Sequence, residues 1–199
     1  MKKLILASQS PRREMLLKQA GISFETHPSN IDEKTEENVG PEDYVRHIAE
    51  KKALSVKEYL HSAGYNFFVV LAADTIVVLE GEILGKPEDE RHAFEMLSKL
   101  SGKWHEVMTG VSVADGDEDK KLVCVETTRV KVRNLSPDEI WKYIKTGEPL
   151  DKAGAYGIQG IGALLVEKIE GCYYNVVGLP LYRVSVMLSR FGIKTVLGE

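Results

Sequence analysis

A chain of 199 residues is long enough for one sizeable α/β domain or two small lobes, and its 43% hydrophobic and 28% charged residues suit a globular protein rather than a disordered one. The net charge of −4 argues against a nucleic-acid backbone as a main partner, because proteins that bind it usually present a net basic surface. The longest uninterrupted apolar run, residues 67–73, is far short of a membrane span, and no signal-peptide pattern opens the chain, so a cytoplasmic protein without a membrane partner is expected.

The chain begins with a short apolar strand, Leu4 to Ala7, that breaks into Ser8, Ser10 and Pro11 and then two arginines opening a helix over Glu14 to Ala20. Ser10 reads as an N-cap and Pro11 as the first helical residue, since proline fixes φ there and loses only an N–H that would be unpaired. Free backbone N–H groups, the hydroxyls of Ser8 and Ser10 and the guanidinium groups of Arg12 and Arg13 therefore converge at one helix N-terminus, a setting suited to phosphate. On spacing alone, an ordinary capped helix with solvated arginines stands equally well.

Ile22 to His27 is expected as a strand and Ser29 to Pro41 as an acidic loop. Within that loop Asp32 and Glu33 could supply oxygen ligands to Mg²⁺ or Mn²⁺, although the whole stretch is acidic and reads first as a solvated charge run. Tyr44 to Leu60 is the clearest helix. Its apolar residues Val45, Ile48, Ala49, Ala53, Val56 and Leu60 recur at helical spacing, and Lys52 falls within that stripe. A lysine on a packing face needs an anion or a route to water.

Residues 67–73 are expected as a strand buried on both faces, with Asp74 and Thr75 at its carboxyl end. A charge there calls for a partner or an active site, and ligands of α/β sheets gather at strand carboxyl ends. Ile76 to Leu84 reads as a hairpin around Glu80-Gly81-Glu82, followed by Gly85-Lys86-Pro87 and a helix over Glu88 to Leu100. Val107 to Ala114 and Leu122 to Arg133 read as long antiparallel strands, and the phase slip between Val125 and Thr128 predicts a bulge near Thr127. Ser136-Pro137 starts a helix over Asp138 to Thr146, and a glycine-rich loop, Glu148 to Gly162, carries Lys152. A strand over Ala163 to Ile169, a helix from Pro180 to Phe191 and a strand over Ile193 to Leu197 complete the expected elements.

Several chemistries lack their motifs. Neither G-x-x-x-x-G-K-[ST] nor G-x-G-x-x-G after a strand occurs, and the serines lack a G-x-S-x-G elbow, which argues against P-loop, Rossmann and serine-hydrolase readings. Cys124 and Cys172 form no C-x-x-C, and the histidines form no H-E-x-x-H, so neither a disulfide framework nor a zinc site is suggested.

Taken together, LASQSPRR at 6–13, AADT at 72–75, GKP at 85–87, TGV at 109–111, EPLDKAGAYGIQG at 148–160 and YYNVVGLP at 173–180 resemble the Maf family of nucleoside triphosphate pyrophosphatases. The uninterrupted DKAGAYGIQG, with Arg12 and Thr75, is similar to the dTTP/UTP branch rather than the 7-methyl-GTP branch. The resemblance implies a mixed α/β fold with two interleaved lobes about a deep cleft, similar to inosine-triphosphate pyrophosphatase. It implies Asp74 as proton acceptor, and Arg12, Thr75 and Gln159 as residues of substrate choice. Glu33, Lys52 and Lys86 match the family's cleft carboxylate and lysines.

Residues and resemblance lead to one expected mechanism. Arg12, Arg13, Ser8 and Ser10 grip the triphosphate, with Lys152 joining if its loop folds over the same cleft, and Lys52 and Lys86 neutralise developing charge. A divalent cation, Mg²⁺ or Mn²⁺, held by Asp74 and Glu33 activates water, and Gln159 reads a pyrimidine edge. The alternatives are a non-catalytic regulator of septum formation and the same chemistry on modified purine triphosphates. Long hairpins with apolar sides are compatible with a homodimer.

Overall fold

The computed structural model describes residues 2–32 and 39–197. In chain order it comprises β1 (Lys3–Leu6), α1 (Pro11–Gln19), β2 (Glu25–Thr26), α2 (Pro41–Ser62), β3 (Phe68–Leu79), β4 (Glu82–Leu84), α3 (Glu90–Leu100), β5 (Trp104–Asp115), β6 (Lys121–Val132) and α4 (Pro137–Ile144). Three 3-10 turns follow, Glu148–Asp151, Ala153–Ala155 and Gly160–Leu165, then β7 (Val166–Glu170), α5 (Tyr173–Val177) and α6 (Leu181–Ser189).

The described strands form one mixed sheet in the order β2-β1-β3-β5-β6-β7, with β4 paired to β3. Pairing is parallel between β1 and β2 and between β1 and β3, and antiparallel between β3 and β4 and between β6 and β7. Two compact units share the chain. One comprises Met1–Asp74, Thr109–Glu126 and Gly178–Glu199, and the other Thr75–Met108 and Thr127–Val177.

In the first unit β1 and β3 run parallel with Ile5 opposite Val70, so Ile5, Ala7, Phe68, Val70 and Ala72 share one face at the period of two that a strand imposes. Ala53, Val56 and Leu60 of α2 join them in a single apolar cluster. The buried residues of α2 are the predicted stripe, Lys52 included. In the second unit Val77 and Leu79 of β3 pack with Ala93, Leu97 and Leu100 of α3 and with Ile140 and Ile144 of α4. The helix α4 begins on a reciprocal cap, in which Ser136 Oγ accepts the Glu139 N–H at 3.3 Å and Glu139 Oε2 accepts the Ser136 N–H at 2.8 Å.

Several expected boundaries shift for physical reasons. The strand predicted to end at Ala73 continues to Leu79, because Ile76 to Leu79 remain buried and pair onward with β4. Asp74 and Thr75 therefore lie inside β3 rather than beyond its end. The turn residues Glu80 and Gly81 both have positive φ, 52° and 87°, as a two-residue hairpin of right-handed strands requires. Only Glu25–Thr26 is strand in the segment expected over Ile22 to His27, since the Ile22 N–H instead closes the end of α1 on Leu17 O at 3.0 Å. Likewise the Ile193 N–H closes α6 on Leu188 O at 3.2 Å, and the strand expected over Ile193 to Leu197 is reduced to a bridge at Thr195. Ala163 to Leu165 belong to a 3-10 turn rather than to β7. On β6, Thr128, Val130 and Val132 are buried in alternation as expected, and the β6–β7 register shifts between Lys131 and Val132. No described helix is long and apolar enough to cross a membrane.

Candidate active site

In the first unit the turn from β1 into α1 does more than cap a helix. Ser10 occupies the N-cap position with an extended backbone, but its hydroxyl makes no capping bond. Ser8 Oγ instead accepts the Ser10 N–H at 3.1 Å and Arg13 Nη1 at 3.3 Å, which organises the turn ahead of the helix. Arg13 Nε donates to the Gly178 carbonyl at 2.9 Å, which ties the guanidinium to the GLP segment before α6. Arg12 stands half-buried on the same helical turn. The predicted anion-holding residues are thus brought together, with Arg13 fixed in orientation from two sides and Ser8 buried beneath it.

The same unit contains a buried ion pair. Lys52 Nζ donates to Asp74 Oδ1 at 2.7 Å, and the two side chains are only 11% and 12% exposed. This contact explains both sequence anomalies at once, a lysine in the apolar stripe of α2 and an aspartate within an apolar strand. Each ion removes the isolation of the other, which a low-dielectric setting would otherwise penalise heavily.

Thr75, the next residue of β3, belongs to the second unit and is half-buried. Lys86 follows β4 in an exposed loop that is joined to the glycine-rich segment by the Gly154 N–H, which donates to Gly85 O at 3.0 Å. Lys152 Nζ donates to Glu148 O at 2.5 Å and to Asp151 Oδ1 at 2.6 Å, so part of its donor capacity organises its own loop. Gln159 is half-buried and sits at the N-terminal end of the Gly160–Leu165 turn. Glu33 lies outside the described residues, and Asp32 is exposed at their edge.

Sequence reading passed over Glu148. Its Oε1 accepts the Gly162 N–H and the Tyr143 hydroxyl, each at 2.9 Å, and its Oε2 accepts the Ile161 N–H at 2.9 Å. Partial burial works against its charge, but the N–H groups of Gly162 and Ile161 and the Tyr143 hydroxyl outweigh it and hold the carboxyl below its usual range. Burial first and then the bond to Glu148 push the Tyr143 phenol up, so it remains a donor. The available signal was one of two acids, with Asp151, in a glycine-rich segment whose successive backbone N–H groups lack side chains to satisfy them.

Among the described residues no three His, Cys, Asp or Glu side chains gather into a ready-made metal cage. The donor set nonetheless fits an ion of the Mg²⁺ type, which is commonly bound by one or two carboxylates together with substrate phosphates. The Asp74 carboxylate would be one such ligand.

A mixed α/β sheet that carries an arginine-lined helix start and a buried Lys–Asp pair suits the handling of phosphorylated substrates. The model of the Maf-like protein family matches residues 3–191, and the chain belongs to that family. It is 54% identical over its whole length to a protein of Caldicellulosiruptor bescii named dTTP/UTP pyrophosphatase, with all of both chains covered. It is 51% identical to a protein of the same name from Acetivibrio thermocellus, covering 97% of each. Among solved structures, the Staphylococcus aureus Ham1 protein is a loose likeness, with a TM-score of 0.44 and 16% identity over 83% of this chain and 80% of that one.

Proposed function

We propose that the chain is a nucleoside triphosphate pyrophosphatase that hydrolyses dTTP and UTP to the nucleoside monophosphate and pyrophosphate. The observation that carries this reading is the buried Lys52–Asp74 pair, a carboxylate of β3 held beside an ammonium of α2. The names of its full-length relatives support the substrate.

Water attacks the α-phosphorus and gives a proton to Asp74, while the bond from the α-phosphorus to the bridging oxygen breaks and pyrophosphate leaves with that oxygen. Lys52, at 2.7 Å, orients the Asp74 carboxylate until the proton arrives. Arg13, aligned by Ser8 and the Gly178 carbonyl, grips phosphate oxygens together with Arg12 and Ser10. Lys86 and Lys152 offset charge on the leaving pyrophosphate. Gln159 presents an amide donor and acceptor to the pyrimidine edge, and Thr75 assists in that choice. A divalent cation, Mg²⁺ or Mn²⁺, held by Asp74 and Glu33 would polarise the α-phosphoryl and make the water a stronger acid. The substrates are small soluble anions, and the reaction belongs in the cytoplasm.

The test is incubation with the common triphosphates and Mg²⁺ or Mn²⁺, with products separated by ion exchange. Intact pyrophosphate, formed faster from dTTP and UTP than from ATP and GTP, is the expected result. Orthophosphate plus diphosphate would refute the pyrophosphatase reading, and equal rates from every base would refute the pyrimidine preference alone.

A further inference from the structure

We infer that Glu148 is a positioning residue for base choice: its carboxylate, with the Tyr143 hydroxyl, clamps both ends of the short glycine-rich turn that presents Gln159. The inference rests on the reading of Gln159 as the residue that meets the base.

A glutamine discriminates between bases only if its amide is held in register, because hydrogen-bond selectivity depends on orientation as well as reach. The backbone carrying Gln159 is poorly suited to hold itself. Gly157, Gly160 and Gly162 surround it, and glycine loses more conformational freedom on ordering than any other residue. The segment is nevertheless fixed at both ends. Behind Gln159, Tyr143 Oη accepts the Gly157 N–H at 3.3 Å. Ahead of it, Glu148 accepts the N–H groups of Ile161 and Gly162, both at 2.9 Å. The Tyr143 hydroxyl donates to Glu148 at 2.9 Å and so joins the two ends through one oxygen.

The closeness of the ends shows in the space at Gly162. A Cβ there would lie 2.2 Å from Gly157 O, 2.6 Å from Tyr143 Oη and 3.0 Å from Glu148 Oε1. Lys152 Nζ, through the Glu148 carbonyl, ties the start of the loop to the same point. Both oxygens of the Glu148 carboxylate are engaged by the protein, so Glu148 acts through Gln159 rather than on the nucleotide.

The variants are Glu148→Gln, Tyr143→Phe and each of them combined with Gln159→Ala. They are assayed by pyrophosphate release on dTTP, UTP, ATP and GTP, beside hydrogen exchange at Ile161 and Gly162. Glu148→Gln should lower the ratio of kcat/KM for dTTP over GTP about tenfold, mainly through a higher KM for dTTP, and should speed exchange at both amides. Tyr143→Phe keeps the ring in the core and should move the ratio in the same direction by less, so it carries the test if Glu148→Gln does not fold. In the Gln159→Ala background neither change should alter the ratio further. An equal loss on all four triphosphates would make Glu148 merely structural and overturn the inference. So would a change in the ratio that persists without Gln159. A wild-type protein with no pyrimidine preference would overturn the substrate reading, and the role of Glu148 with it, before any variant is made.

Discussion

At Lys52 and Asp74, 2.7 Å apart and nearly enclosed, neither residue can be altered without changing what the other experiences. The helical stripe by itself suggests that methionine in place of Lys52 would leave stability unchanged or raise it, because an apolar chain suits that face. The ion pair reverses this. Lys52→Met removes an ammonium from a carboxylate that stays buried, and should cost about 3 kcal/mol, the scale for breaking one side of such a pair, along with most of the activity. Asp74→Asn leaves the buried Lys52 ammonium an amide oxygen in place of its counter-charge, so it should also lose stability while keeping the fold, and should lower turnover by about 100-fold or more, the scale for losing a general base. The double variant should recover part of the stability lost by Lys52→Met and none of the activity. Urea unfolding and pyrophosphate release, measured on the same three proteins, check all of these outcomes, and an active Asp74→Asn protein would remove Asp74 from the chemistry.

Among elements, α2 matters most to the proposed chemistry because it carries Lys52, and its distance from the sheet is set at one glycine. A Cβ on Gly110 of β5 would lie 2.2 Å from the Val45 carbonyl oxygen of α2, so the helix backbone rests directly on the strand. Gly110→Ala must push α2 outward, and should cost about 1–3 kcal/mol by overpacking while lowering activity through the displaced lysine. At the start of α4 the consequence differs. Ser136→Ala removes one side of the reciprocal cap and should cost about 1 kcal/mol, yet leave turnover nearly unchanged, because the cap lies at the end of α4 away from Tyr143. Thermal unfolding beside steady-state kinetics separates a helix that positions a functional side chain from one that is simply capped.

For the whole molecule, acid sensitivity should have an identifiable source in His105. Burial pushes this imidazole down from 6.5 to about 4, and its Nε2 lies 2.6 Å from the Tyr156 hydroxyl in a closed setting. The unfolded chain takes up this proton near pH 6.5, whereas the folded protein resists it until about pH 4, so acid favours unfolding throughout that window. The contribution is complete above the unfolded value and is lost as pH falls, by about 2 kcal/mol at pH 5 and about 3 kcal/mol near pH 4. Urea midpoints at pH 7.5 and pH 5 should separate accordingly. His105→Gln, which keeps a partner for Tyr156 without titrating, should narrow the gap, and an unchanged gap would place the acid sensitivity elsewhere.

By itself the sequence determined whatever depends on neighbours within a few residues. The buried face of α2, the hairpin at Glu80-Gly81, the proline-led start of α1 and the Ser136 cap follow from periodicity and local backbone preference, and the order of short motifs along the chain already pointed to the Maf family. Tertiary structure decided what depends on residues far apart in the chain. Lys52 was legible as an anomaly, but its answer lies 22 residues away in Asp74, and Arg13 finds the Gly178 carbonyl 165 residues away. Asp74 read as a strand end because the apolar run stops there, whereas pairing with β4 carries the strand on to Leu79. Glu148 looked like one more loop acid until Ile161 and Gly162 closed on it. Glycines mark where backbone N–H groups will need an acceptor, but only the packed chain shows which side chain supplies it.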